Sequence, residues 1–222
     1  MKAMILAAGR GQRMMPLTAH IPKPMLEVAG QPLILHHIIK LREAGIHDIV
    51  INLAWQGEKI QHYFADGRDF GVNIVYSQEP QGGLETAGGI INALPLLGER
   101  FIVINGDIYT DYEPISLTQL HVQSAAAHIV LVENPAHNPG GDFALSHSHA
   151  QSQLYTFSGI SCFHREFFAD LTVQRLPLGP LLREKINNKQ VSTELYLGQW
   201  DDIGTPQRLQ QLNQRLADNH LT

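Results

Sequence analysis

Apolar and polar positions along this chain change period in a regular way. Residues 4–7, 49–53, 72–76 and 101–105 are short apolar runs rich in β-branched side chains, the pattern of buried strands. Between them, residues 33–44, 59–64 and 86–94 space their apolar side chains at helical intervals. This alternation predicts βαβ units, whose crossovers require parallel strands covered by helices. The expected fold is an open, doubly wound, mainly parallel α/β sheet of Rossmann-like type with helices on both faces. In the second half, residues 126–133, 143–145, 155–163 and 191–196 read as strands, interrupted by Pro139-Gly140-Gly141 and a His/Ser/Gln-rich loop at 146–153. They are expected to extend the sheet over the mouth of the site. Residues 206–219 have a helical pattern that opens with Thr205 as N-cap and Pro206 in the first turn.

The first predicted strand runs into Ala7-Ala8-Gly9-Arg10-Gly11-Gln12-Arg13, and Pro22-Lys23-Pro24 follows closely. Gly9 and Gly11 can take positive φ and let the backbone approach a ligand, while Arg13 and Lys23 bring cations into the same loop. Backbone N–H groups beside fixed cations suit a triphosphate. The loop has neither the Gly-Lys-Ser/Thr of a P-loop nor a third glycine at dinucleotide spacing. Asn105-Gly106-Asp107 leaves another strand at the same carboxyl edge of the predicted sheet, where ligands of open α/β sheets bind. Much later comes Asp202-Ile203-Gly204-Thr205-Pro206, again with a carboxylate at a predicted turn. A magnesium ion takes one or two protein carboxylates and completes its shell with phosphates and waters, so two separated aspartates suffice. Asp201 is an adjacent alternative to Asp202, and Asp111 a more distant one to Asp107.

Composition narrows the field. With 222 residues and 44% hydrophobic content the chain can bury one substantial core, and residues 1–222 are expected to form a single domain. A net charge of −5 without a Lys/Arg-rich run argues against nucleic acid as a partner. The single cysteine, Cys162, cannot form an intrachain disulfide, and the N-terminus lacks a signal-peptide layout, so a cytoplasmic location is expected. No apolar stretch approaches the ~20 residues that cross a bilayer. The His36-His37 pair and His147-x-His149 lack the companions of a zinc site.

In this order, the motifs resemble those of the sugar-1-phosphate nucleotidyltransferases. That family opens with Leu-Ala-Ala/Gly-Gly-x-Gly-x-Arg, then Pro-Leu-Thr and Pro-Lys-Pro, and residues 6–24 match it nearly throughout. The resemblance implies a nucleotidyltransferase catalytic domain of GT-A-like type, without the C-terminal β-helix that many relatives carry. Ala8, Gly9, Gly11, Gln12, Arg13 and Lys23 would bind the nucleotide, with Arg13 and Lys23 catalytic. Asp107 and Asp202 would hold Mg²⁺. The segment Gln78-Glu79-Pro80-Gln81-Gly82-Gly83-Leu84-Glu85-Thr86-Ala87 matches the part that reads the base, with Gln78 and the Gly83 backbone at its edge. A fixed carbonyl accepts from uracil N3–H but opposes a lone pair in cytosine, which favours UTP.

For the sugar, the resemblance points to Asn105, Gly141, Thr156 and Gly159. The match is partial there, because the glutamate with which many relatives bind sugar hydroxyls is missing between Gly141 and Gly159. That gap, the Asn-Pro-x-His-Asn-x-Gly-Gly-Asp-Phe segment and the 155–160 strand look most like the short branch that acts on N-acetylmuramate 1-phosphate. Its lactyl carboxylate would be repelled by a protein carboxylate. The small-molecule partners expected are UTP, the sugar 1-phosphate and pyrophosphate. Another hexose 1-phosphate would keep every motif. A glycosyltransferase would normally carry Asp-x-Asp, and a non-catalytic nucleotide-sugar sensor would not need Arg13, Lys23, Asp107 and Asp202 together.

Overall fold

The computed structural model describes residues 1–120, 122, 126–146 and 153–219. In chain order the strands are β1 (Lys2–Leu6), β2 (Glu27–Val28), β3 (Gln31–Pro32), β4 (Asp48–Leu53), β5 (Asn73–Gln78), β6 (Arg100–Asn105) and β7 (Ile108–Thr110), then β8 (Ala127–Val132), β9 (Thr156–His164), β10 (Val191–Tyr196) and β11 (Trp200–Asp202). The helices are α1 (Leu33–Glu43), α2 (Gly57–Phe64), α3 (Glu85–Ala93), α4 (Ile115–Gln119), α5 (Leu178–Asn187) and α6 (Pro206–Asn219).

Alternation within the strands decides how the layers form. In β1, Ala3 and Ile5 face a cluster built with Ile34, Ile38 and Leu41 of α1 and Ile60 and Phe64 of α2. Met4 faces the other way, onto a cluster with Ile90 of α3, Leu181 and Leu182 of α5, and Phe163, Phe167 and Phe168. A pleated strand sends alternate side chains to opposite faces, so both faces of the sheet are apolar and each needs a helical cover. Burying each large aliphatic side chain of such a cluster contributes roughly 1.5–3 kcal/mol.

The main sheet has seven strands in the order β10-β8-β9-β6-β1-β4-β5. β1 lies between β4 and β6, parallel to both, and β9 alone runs antiparallel to its neighbours β6 and β8. From β1 the chain builds outward through β4 and β5, then crosses to the other side of β1 as β6. That reversal opens a crevice beyond the carboxyl ends of β1 and β6. There Gly106 N–H donates to Leu6 O over 2.9 Å, and a Cβ on Gly106 would sit 2.6 Å from the same oxygen. Only glycine lets the two turns come so close.

The second half follows the expected pattern with three differences. β8, β9 and β10 widen the sheet edge to edge beyond β6, and the element beside the crevice is instead a separate antiparallel pair, β7 with β11. The strand expected at 143–145 is reduced to one bridge, Phe143 with Tyr155, because Gly141 turns with φ +64 and both Asp142 N–H and Phe143 N–H converge on Tyr155 O. α5, whose Leu178, Leu181 and Leu182 are buried at helical spacing, forms where no element is expected. α6 starts as the sequence implies: Thr205 Oγ1 accepts from Arg208 N–H at 3.3 Å. Its Leu209, Leu212 and Leu216 pack on Met14, Leu26 and Ile203 and so brace the loop after β1. Among the described residues no helix is long and apolar enough to cross a membrane.

Candidate active site

The loop after β1 is set by a short series of local contacts. Gly11 has φ +60, and its carbonyl accepts from Met14 N–H and from Thr18 Oγ1, both at 2.8 Å. A Cβ there would lie 3.0 Å from Thr18 Cγ2 and 3.1 Å from Lys23 Cβ, so this turn requires glycine twice over. Gly9 differs from the expectation, since it needs no positive φ and a Cβ there would meet nothing within 4 Å. Its missing side chain leaves open space above the backbone.

Lys23 passes beneath this turn. It is buried, and its Nζ lies 2.6 Å from Asp107 Oδ2. A buried ammonium needs an anionic partner, and this one spans the crevice from the loop after β1 to the turn after β6. β7 pairs with β11 so that Asp202 stands opposite Ile108, and Ile203 N–H donates to Asp107 O at 2.8 Å. The two aspartates thereby lie on adjoining backbone segments although 95 residues separate them in the sequence. Asp202 Oδ1 is held by Arg208 and lies 2.9 Å from His137 Nε2. Asp107 Oδ1 and Asp202 Oδ2 have no hydrogen-bond partner among the described residues. Two hard oxygen donors on paired elements fit the modest protein share of a magnesium shell. No cluster of three or more acidic, histidine or cysteine ligands occurs among the described residues. The alternatives are engaged elsewhere: Asp201 pairs with Arg215 of α6, and Asp111 accepts from Tyr196.

Behind this pair, His37 of α1 is buried, and its Nε2–H donates to Ile108 O at 2.9 Å. Burial draws its pKa from 6.5 down to about 4, outweighing the backbone hydrogen bond and the Asp107 charge that favour the imidazolium. A neutral histidine therefore anchors the start of β7.

Two clefts meet at the Lys23–Asp107 pair. One, of about 310 Å³, runs from Ala7–Arg10 to Gly82, Gly83 and Thr86, with Asn105 and Arg175 at its edges. The other, of about 500 Å³, lies over Gly11, Gln12 and Arg13 and reaches Gly204. Gly9, Arg10, Lys23 and Asp107 line both. The structure thus brings Ala8, Gly9, Gly11, Gln12, Arg13, Lys23, Gly83, Asn105 and Asp107 to one connected depression, with Asp202 beside it. Gln78 is not in that lining: it is exposed, and its Nε2 donates to Leu53 O at 3.2 Å. Gly159, with φ +83, packs against Asn105, where a Cβ would fall 2.6 Å from Nδ2. Thr156 is buried, its hydroxyl donating to Asn134 Oδ1 and accepting from Asn138 Nδ2. Gly141 makes the turn into that strand, a Cβ there lying 2.6 Å from the Leu154 carbonyl carbon.

The 141–159 segment contains no glutamate, but it does hold the carboxylate Asp142, which qualifies the like-charge argument. Asp142 Oδ2 accepts from Phe157 N–H and Asn138 Nδ2, and so serves the turn. His147 and His149 and most of the 146–153 loop lie outside the described residues. Cleft residues given no role by the sequence include Arg10, whose guanidinium stacks 4.5 Å from the Trp55 ring, Arg175, Asn52 and Glu79. A polar Asn52 inside an apolar strand was the available signal.

Residues 2–143 match the family model described as nucleotidyl transferase. The chain is 47% identical to the N-acetylmuramate alpha-1-phosphate uridylyltransferase of Neisseria meningitidis serogroup B (strain ATCC BAA-335 / MC58), over 95% of this chain and 96% of that protein. It is 35% identical to the UTP–glucose-1-phosphate uridylyltransferase of Synechocystis sp. (strain ATCC 27184 / PCC 6803 / Kazusa), there over 60% of this chain and 37% of the relative. Among solved structures, the HddC protein of Yersinia pseudotuberculosis complexed with GMP-PN superposes with a TM-score of 0.78 at 21% identity, covering 97% of this chain and 99% of that one. At that identity the likeness concerns the fold alone.

Proposed function

From the premise that the chain belongs to the nucleotidyl transferase family, we propose that it transfers UMP from UTP to N-acetyl-α-muramate 1-phosphate, giving the UDP-sugar and pyrophosphate. It is a sugar-1-phosphate nucleotidyltransferase. The reaction carries the phosphorylated muramate of recycled peptidoglycan back to a nucleotide sugar in the cytoplasm. The observation that carries the choice of substrate is near full-length identity of 47% with a relative of that activity. The geometry supports the reaction type, since a cation-bearing glycine turn faces Asp107 across one crevice, with Asp202 on the strand paired beside it.

The base lies in the cleft beside Gly82 and Gly83, and the triphosphate runs over the turn at Gly9–Arg13. Arg13 holds the β- and γ-phosphates and stabilises departing pyrophosphate. Lys23 stands between the α-phosphate and the incoming sugar phosphate, held there by Asp107. The sugar phosphate attacks the α-phosphorus in line. Its second pKa is about 6, so near neutral pH it is already largely dianionic and needs no general base. Positioning and charge neutralisation carry the rate. Asp107 and Asp202 would hold Mg²⁺, which when bound neutralises and orients the reacting phosphates. Asn105 and the 156–159 strand, with Gly141, form the sugar side.

The test is pyrophosphate release across N-acetylmuramate 1-phosphate, N-acetylglucosamine 1-phosphate and glucose 1-phosphate, each with UTP, CTP, GTP and ATP. Release requiring both UTP and N-acetylmuramate 1-phosphate, at much the highest kcat/KM, is the expected result. A preference for glucose 1-phosphate would reject the muramate assignment and leave nucleotidyl transfer standing.

A further inference from the structure

Asn52 and Glu79 are only 3% and 5% exposed, yet both line the nucleotide cleft, and no cation pairs with the Glu79 carboxylate among the described residues. They form a relay. Ala7 N–H donates to Asn52 Oδ1 at 2.7 Å, Asn52 Nδ2 donates to Glu79 Oε1 at 2.6 Å, and Leu84 N–H donates to Glu79 Oε2 at 2.7 Å. One end grips the last buried residue before the phosphate turn, and the other grips the loop at Gly82 and Gly83. Helix α3 closes over it, with Gly89 so near that a Cβ would lie 2.4 Å from Glu79 Oε1.

The relay fixes a direction. In a trans peptide the N–H and the carbonyl point opposite ways. The Leu84 N–H points inward to Glu79, so the carbonyl of the same peptide, that of Gly83, points outward from the cleft wall. The Gly83 N–H is already spent on Pro80 O at 3.0 Å. The wall therefore presents an acceptor and withholds the donor. We infer that the Asn52–Glu79 relay sets nucleobase selectivity, by holding the Gly83 carbonyl toward the base edge so that uracil N3–H is accepted and cytosine N3 repelled. The inference rests on the nucleotide site proposed above. Both residues are positioning residues.

Donor parity makes this testable. Both ends of the relay are N–H donors, so it needs one group that accepts on both sides. Asn52 accepts at one end and donates at the other; Glu79 accepts twice. In Glu79→Gln, any choice of amide orientations leaves two donors facing each other. Exchanging the pair, Asn52→Asp with Glu79→Gln, restores the count: the introduced carboxylate accepts from Ala7 N–H and from the introduced amide, whose oxygen accepts from Leu84 N–H. Side-chain lengths and net charge are unchanged.

The experiment measures UTP and CTP affinities by calorimetry, the UTP-over-CTP ratio in the pyrophosphate assay, and thermal melting, for wild type, the single variant and the exchanged double variant. Glu79→Gln should lower the UTP-over-CTP ratio by about 10-fold or more, because two buried donors are left facing each other and the relay no longer ties the reading loop to β4 and β1. The exchanged variant should recover to within about threefold of wild type. An unchanged ratio in a folded Glu79→Gln protein overturns the inference, as does a folded exchanged variant that stays unselective. If the single variant does not fold, the exchanged one decides alone by the same ratio. A wild type that fails to bind UTP would instead reject the functional reading, which separates the two failures.

Discussion

Acidification should expose the role of His37 as the neutral anchor of β7. The unfolded chain takes up a proton at an imidazole near pH 6.5, whereas in the fold burial delays that protonation to about pH 4. Between those values the unfolded state binds more protons, so the unfolding free energy falls as pH falls, and above about pH 6.5 His37 adds no slope. The displacement from 6.5 to about 4, at about 1.4 kcal/mol per pH unit, amounts to about 3 kcal/mol lost by the acid end of the window. Carboxylates titrate in the same range, so the measurement is a difference. Urea unfolding of wild type and His37→Phe is followed from about pH 7 to about pH 4. The stability of wild type relative to the variant should decline by about 3 kcal/mol across that window. Parallel curves for the two proteins would refute the reasoning, because they would mean that the imidazole titrates alike in both states.

The remaining predictions concern the phosphates and the turn. Asp107→Asn and Asp202→Asn should each lower turnover by about 100-fold or more with the melting temperature little changed; near-wild-type turnover of either at limiting Mg²⁺ would remove that residue from the metal site. Lys23→Ala should harm the single-turnover rate more than UTP affinity, whereas Arg13→Ala should weaken both; equal losses of affinity with unchanged chemistry would reject the division of roles. Gly11→Ala should cost about 1–3 kcal/mol of stability in denaturant unfolding, from its positive φ and the close Thr18 and Lys23 contacts, whereas Gly9→Ala should leave stability nearly unchanged but weaken UTP binding.

How far the site is legible in the sequence depends on how local its causes are. The turn after β1 is legible because Gly11, Thr18 and Lys23 interact within a dozen or so residues, and the parallel core because period-2 and helical runs alternate. The placing of Asp202 beside Asp107 is legible only through the family resemblance, since it depends on β11 pairing with β7, three-residue strands too short to register as a pattern. Gln78 illustrates the limit from the other side: a motif match gives its position, but whether its amide faces a ligand or Leu53 O depends on packing. Asn52 and Glu79 are single polar letters next to apolar runs, and their meaning appears only once the parallel register sets Leu53 opposite Gln78. The segment after Gly141 reads as a strand by composition, but the convergence of two N–H groups on Tyr155 O bends it out of the ladder.

The pairing of β7 with β11 also has a consequence in time. It closes about as long a stretch of chain as the pairing of β1 with β6, but with three residue pairs against five, so it offsets less of the closure cost and is expected to form after the main sheet. A folding chain can therefore possess the glycine turn, Lys23 and Asp107 while still lacking Asp202. Such an intermediate holds the binding parts without the second carboxylate, and so would retain nucleotide without turning it over. Recovery of activity during refolding should accordingly lag behind recovery of UTP binding, with the docking of β11 and α6 as the step that ends the delay.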